Sequence, residues 1–478
     1  MPHLFVMAVL AVAVPSPHVF ALEAGASVWD VRPVDIDGDG LGEILALCCD
    51  DTDGTLEKHV AVFKADALGN FPSKPSFEVA LDPSVGAMFV AEVDGAAPVE
   101  LVAVNAEGAT VFAYRNGGLE AVQTVAFWSL YPSMSRKPAF VDKAALDLDG
   151  DGIDEWLVPM PTGYAVRNVD RLRCLVECDV DGSMRTAGSM VITNRLPACH
   201  AFDCWPASGA APDEQTAPAQ TGKGLAFLSD SCADFAYGQD WGERARFAIP
   251  LELDDKWESS AQMHDFDNNG LPDLLVTQMQ GTINLKGMTQ IYMASPAASS
   301  AAGTPAPPCY PAAPSTKFDS KGSLAAPIVK DVNGDEKLDI VFLNVQWGLK
   351  FFVNIFVFKK LNVDLHIHLF HEDGFRQEPD FRANASIEAP DGNEQTAYAL
   401  GDFNGDGYID IAFGSGREKL DIHTGSATRF ISAKPWASVE LPAFGVARVH
   451  DIDGNGTEDL IIHHPGIRRK EFIEVVVF

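Results

Sequence analysis

Apolar residues fall in short bursts along this chain, about five positions long and rich in branched side chains. EILAL (Glu43–Leu47), ELVAV (Glu100–Val104), EWLVP (Glu155–Pro159) and DLLVT (Asp273–Thr277) are four of them. DIVFL (Asp339–Leu343), DIAFG (Asp410–Gly414) and DLIIH (Asp459–His463) repeat the pattern, each opening on an acid. Runs of this length, bounded by turn residues, predict buried strands. Between them lie HVAVFKA, GYAVRNV, NIFVFKK and LHIHLF, which supply further strands. The pattern predicts an all-β chain.

The polar positions are as regular as the apolar ones. Six nine-residue loops carry acid or amide side chains at positions 1, 3, 5 and 9. Their donors are Asp35, Asp37, Asp39 and Glu43; Asp147, Asp149, Asp151 and Glu155; and Asp265, Asp267, Asn269 and Asp273. The later three offer Asp331, Asn333, Asp335 and Asp339; Asp402, Asn404, Asp406 and Asp410; and Asp451, Asp453, Asn455 and Asp459. Hard oxygens at alternate positions of a tight turn converge on one point, as calcium requires, and a glycine at position 6 permits the reversal. Up to six Ca2+ ions are expected. An EF-hand would place a bidentate Glu at position 12 and continue into a helix. Position 12 is instead Ala46, Val158, Val276, Phe342, Phe413 or Ile462, inside a predicted strand. These are strand–loop–strand sites.

Two decayed units complete the series. Glu92 to Glu100 keeps acids at positions 1, 3 and 9, but Ala96 replaces the fifth ligand. At Asp203 an approach strand and a departing strand (Gly224 to Leu228) survive around a Cys-, Pro- and Ala-rich excursion. Repeats then start at 35, 92, 147, 203, 265, 331, 402 and 451. Spacings of this size, with about four strands each, predict a β-propeller of about eight four-stranded blades. Seven is the alternative if a decayed unit merges with a neighbour. The last repeat has room for three strands, so Leu22 to Val28 is expected to supply the fourth and close the ring.

The recurrent D-x-[DN]-x-[DN]-G-x-x-[DE] followed by a strand resembles the FG-GAP/VCBS repeat family, which includes the heads of integrin α-subunits. DFNGDGYIDIAFGSG (Asp402–Gly416) matches best, and HEDGFRQEP (His371–Pro379) resembles the Gly-Phe turn that closes such a repeat. The resemblance runs from about Val28 to the C-terminus. It implies calcium loops between the first and second strands of each blade, and this role is carried onto the six intact loops only. Glu336 departs from the pattern where glycine is expected, and Asn269 and Asn455 weaken the fifth ligand.

Composition adds the setting. The formal net charge of −32, from 67 acids against 35 bases, argues against nucleic acid or anionic lipid as a partner. Residues 1–21 read as a signal peptide, with an apolar core at Leu4–Val14 and small residues before a cut at Ala21, although the n-region lacks Lys and Arg. The chain is expected to be secreted, periplasmic or on the cell surface, with residues 22–478 forming one propeller. Surface insertions are expected near 204–223 and 294–325, and no transmembrane segment beyond the signal peptide. Eight cysteines in an exported chain permit disulfides, Cys199–Cys204 being a candidate staple.

Catalytic chemistry is not legible in the sequence. His366 and His368 alternate onto one strand face, a transition-metal pair or an ordinary amphipathic strand. Nearly every acid cluster is taken up by the loops. Two function classes follow. One is a non-catalytic recognition or adhesion module for a glycan or an extracellular protein, its loops held rigid by calcium. The other is a calcium-dependent polysaccharide-processing enzyme, a lyase or hydrolase, supported by fold analogy alone.

Overall fold

A computed structural model describes residues 17–478 apart from 53–54, 67, 132–137, 161–162, 178–197, 204–222, 229–231, 239–240, 251–257, 281–285, 297–306, 322–326, 346–350, 352, 391–393 and 466–468. Its strands form eight antiparallel sheets of four strands, one per repeat, the second gaining a short parallel strand, Ala139–Phe140. Blade one is Val28–Val34, Glu43–Thr52, Thr55–Phe63 and Phe77–Leu81. Blade five is Glu258–His264, Asp273–Gln280, Lys286–Tyr292 and Thr316–Lys321. Blade six is Ile328–Lys330, Asp339–Asn344, Lys360–His368 and Phe381–Glu388. The eight-bladed β-propeller is the observed fold.

Blades exist because each strand alternates between two apolar faces, and neither face can be buried within a single sheet. Each face therefore packs on a neighbouring blade. Ile44, Ala46 and Cys48 of blade one pack against Ile461, Ile473 and Val475 of blade eight, while Leu45 and Leu47 pack against Met88, Leu101 and Ala103 of blade two. Cores of this kind join every adjacent pair around the circle. The core is thus a ring of inter-blade layers.

The ring closes through blade eight. Val446–His450, Asp459–His463 and Phe472–Val477 come from the C-terminal end, and His18–Glu23 pairs antiparallel with the last of them, from His18 opposite Val477 to Glu23 opposite Phe472. The closing strand lies earlier than the expected Leu22 to Val28, because Val28 already begins the inner strand of blade one. Four of its six residues precede the cut expected after Ala21.

Two other expectations change. NIFVFKK is no strand: Asn354–Phe358 forms a single π-helical turn with Phe356, Val357 and Phe358 exposed. The third strand of blade six begins only at Lys360, and partners on both sides fill the places a further strand would need. The stretch 294–325 is not all insertion, since Thr316–Lys321 is the outer strand of blade five and Ser295–Pro296 pairs with Pro308–Cys309. The fourth-repeat excursion and the Cys199–Cys204 pairing lie outside the described residues. No helix among the described residues is long and apolar enough to cross a membrane.

Candidate metal centre

All six intact loops join the first strand of a blade to the second, so they share one face of the ring. Their conformation is written into the sequence by short-range hydrogen bonds. The carboxylate at position 1 turns back on the loop: Asp35 accepts N–H bonds from Gly38, Asp39 and Gly40 at 2.7, 3.1 and 3.0 Å. Asp451 accepts from Asn455 and Gly456, and Asp331 from Gly334 and Glu336. Position 3 accepts from the amide of position 5, and position 5 from that of position 7, as Asn404 and Asp406 show. Short polar side chains that satisfy nearby backbone amides are the usual makers of such turns.

Two residues per loop must be left-handed. Position 6 is so at Gly40, Gly152, Gly270, Gly407 and Gly456, and at Glu336 with φ of 67°. Position 4 is left-handed as well, a requirement the sequence reading missed, and Asn268 takes it in the fifth loop. At Gly334 there is a further reason: a Cβ there would sit 2.4 Å from the Gly407 carbonyl oxygen of the next loop.

The position-nine acid is buried beneath each loop. Glu43, Glu155, Asp273, Asp339, Asp410 and Asp459 are all about 1% exposed or less. One carboxylate oxygen accepts the position-two amide, from Ile36 N–H to Glu43 at 3.0 Å through Ile452 N–H to Asp459 at 2.9 Å. In the aspartates the second oxygen accepts another amide, from Ala294, Phe370, Gly425 or Phe478. In Glu43 that second oxygen is buried and accepts no hydrogen bond. Burial raises the carboxyl of each of the six to about 7, with nearby loop acids adding to the shift. Buried, crowded carboxylates are an environment that a cation relieves.

Acid oxygens lie within 4.8 Å of one another in four loops, at Asp35, Asp37 and Asp39; Asp147, Asp149 and Glu155; Asp265, Asp267 and Asp273; and Asp451, Asp453 and Asp459. The buried oxygens without hydrogen-bond partners, Oε1 of Glu43, Oε1 of Glu155 and Oδ1 of Asp149, belong to two of these. Several loops can therefore hold a metal ion. In loops six and seven, where Asn333 and Asn404 occupy position 3, the acids alone do not form such a group. Asn269 and Asn455 turn their amide oxygens onto Leu271 and Thr457 N–H.

Loops one and three have four carboxylates each, which by charge alone predicts the tightest sites. The structure adds a competitor to each. The Lys64 ammonium bonds Asp37 and, at 2.7 Å, Asp39. Arg173 pairs with Asp149 and lies 3.6 Å from Glu155. The decayed second loop keeps the same turn, with Glu92 accepting from Gly95 and Ala96 and Glu100 from Val93. Its backbone survives the loss of the fifth ligand.

Neighbouring loops brace one another. Glu92 N–H donates to the Asp154 carboxylate and Asp154 N–H to the Glu92 carbonyl, both at 2.8 Å. Asp402 N–H donates to the Glu458 carboxylate at 2.7 Å and Glu458 N–H to the Asp402 carbonyl at 2.9 Å. Gly42 N–H reaches the Ile452 carbonyl across the ring closure. The loops thus form a linked acidic girdle. Near the axis, arginines of the inner strands are paired with aspartates, Arg448 with Asp30 at 2.6 Å and Arg32 with Asp142.

No protein-family model matches the chain, and no curated protein matches it. Among solved structures, BBS1N in complex with ARL6DN superposes with a TM-score of 0.35 at 7% identity, covering 96% of this chain and 95% of the other. An Agrocybe aegerita lectin that recognises non-reducing terminal N-acetylglucosamine gives 0.43 at 8%, covering 97% and 95%. The V. cholerae biofilm matrix protein Bap1 gives 0.24 at 15%, covering 93% and 76%. All three lie below 0.5, and the propeller rests on its own sheets and cores.

Proposed function

We propose that this chain is an exported, calcium-stabilised propeller of the FG-GAP/VCBS type, acting as a non-catalytic recognition or adhesion module for a glycan or an extracellular protein. The acidic girdle carries the reading. Its buried position-nine carboxyls and partnerless oxygens suit a hard divalent cation, which would satisfy the oxygens and neutralise the crowding. Asp35, Asp37, Asp39 and Glu43, with the corresponding residues of the other five loops, would hold the ions. Calcium would supply rigidity to one face of the ring, and surfaces between blades would supply recognition. Low cytosolic calcium would leave weak loops empty, which favours a location outside the cell.

A glycan array probed in calcium and in EDTA, paired with a product assay on the same polysaccharides, tests the proposal. Calcium-dependent retention without product is the expected result. Release of shortened or unsaturated products would replace the binder with the polysaccharide-processing enzyme. Calorimetry showing no calcium uptake at millimolar concentration would remove the metal.

A further inference from the structure

The turn between the second and third strands of blade six holds apolar side chains away from the core. Phe356, Val357 and Phe358 are 71, 67 and 62% exposed, and Val353 just before them is 39% exposed. Among the described residues, no other two exposed large apolar side chains are adjacent in sequence. The turn is fixed in place at both ends. Phe351 packs against the core between blades six and seven. Lys359 N–H closes the turn on the Asn354 carbonyl, and the Lys359 carbonyl accepts Ala389 N–H at 2.8 Å. An apolar knob held rigidly in water marks a contact surface.

We propose that this turn seats the chain on a zwitterionic lipid bilayer, with Phe356, Val357 and Phe358 in the boundary between headgroups and acyl chains. Three consecutive residues of a helical turn fan over about half its circumference. A folded partner covers one stripe of a helix, whereas a fluid hydrocarbon layer receives every direction at once. Charge agrees with that choice. From Ile340 to Val363 the sequence has three lysines and no acid, in a chain of net charge −32. Acids around the base are paired, Glu388 with Lys360 at 2.9 Å and Glu394 with Arg417 at 3.6 Å. The base is thus close to neutral, and apolar insertion rather than an anionic headgroup drives the contact.

The acidic girdle lies at the other end of the blades, because the second strand of blade six runs from Asp339 beneath its loop to Asn344 on the side of the turn. Six strand residues span about 20 Å, some two Debye lengths at physiological salt, so the girdle is screened from the bilayer. Trp128 follows the fourth strand of blade two, Gly118–Ala126, and Tyr398 begins the first strand of blade seven, Tyr398–Gly401. Both are exposed at the same end of the ring as the turn, and bilayers place such side chains among their headgroups. The inference does not depend on the glycan or protein reading. It orients the ring with the girdle facing away from the lipid.

The full chain in calcium, mixed with phosphatidylcholine vesicles and followed by co-sedimentation, tests the proposal. Partitioning should be equal at low and high salt. Phe356→Ser together with Phe358→Ser should weaken it at least tenfold, while Phe356→Leu together with Phe358→Leu should retain it. A native chain that does not partition overturns the proposal. Equal loss in the serine and leucine pairs also overturns it, since that reports damage to the turn. Partitioning only onto vesicles containing phosphatidylserine, abolished by high salt, would assign the binding to surface cations instead. Light scattering that shows a dimeric native chain and a monomeric serine pair, both without lipid, would place a second copy over the turn and refute the bilayer.

Discussion

Glutamates 43 and 100 make the sharpest test of the girdle, because they share an environment and differ in the loop above them. Both are buried, both accept one position-two amide, and burial raises both carboxyls from 4.5 to about 7. A carboxyl raised by folding contributes stability that is fully present below its unfolded pKa and is lost as pH rises through its folded pKa. The window is therefore about pH 4.5 to 7, and the full cost is in force by pH 8. A shift of this size corresponds to about 3 kcal/mol per group. Unfolding entropy of about 2.1 cal/mol/K per residue converts that to roughly 3 °C in a chain of this length. Glu100→Gln should recover a degree or more at pH 8 in calcium and in EDTA alike, since its loop has lost a ligand. Glu43→Gln should stabilise in EDTA and destabilise in calcium, where it removes a ligand charge. Differential scanning calorimetry at pH 5 and 8 in both buffers reads all four cases. An EDTA melting temperature that does not fall between those pH values would refute the burial argument, and Glu43→Gln behaving like Glu100→Gln would refute the metal.

Other outcomes follow from the same geometry. Glu336→Gly should stabilise by about 1 kcal/mol in thermal melts, because it relieves a left-handed non-glycine residue. Lys64→Met should tighten calcium binding at the first loop, by up to about fivefold if displacing the ammonium from Asp37 and Asp39 costs about 1 kcal/mol; calorimetric titration showing unchanged or weaker uptake would dismiss the competition. Asp402→Ala should lower the melting temperature more in calcium than in EDTA. Glu92→Ala should lose the bonds to Gly95 and Ala96 equally in both buffers.

Strand-length bursts after acidic loops were enough to read eight blades from the sequence, because the loop and the second strand are encoded side by side. The closing strand was harder, since His18–Glu23 carries no loop signal and its partner is at the far end of the chain. NIFVFKK shows the limit of the pattern: its short run of branched and aromatic residues reads like a strand, yet its sheet position is already taken. Ligand donors in the six loops were legible as residue types. The basic residues that enter loops one and three were not, because Lys64 follows the third strand of blade one, Thr55–Phe63, and Arg173 lies on the fourth strand of blade three, Leu172–Glu177. Likewise LHIHLF reads as an amphipathic strand, and only the ring shows that its polar side faces another blade.

Closure by His18–Glu23 makes the seam of the ring an intermolecular opportunity. A chain trimmed after Ala21 would keep only Leu22 and Glu23 of that strand, and Phe472–Val477 would become a free edge with unpaired amides and carbonyls. Such an edge accepts an extended segment from another molecule as readily as from its own. The position of N-terminal processing would then decide between a closed monomer and strand-exchanged chains, and size-exclusion chromatography of forms beginning at His18 and at Leu22 separates the two.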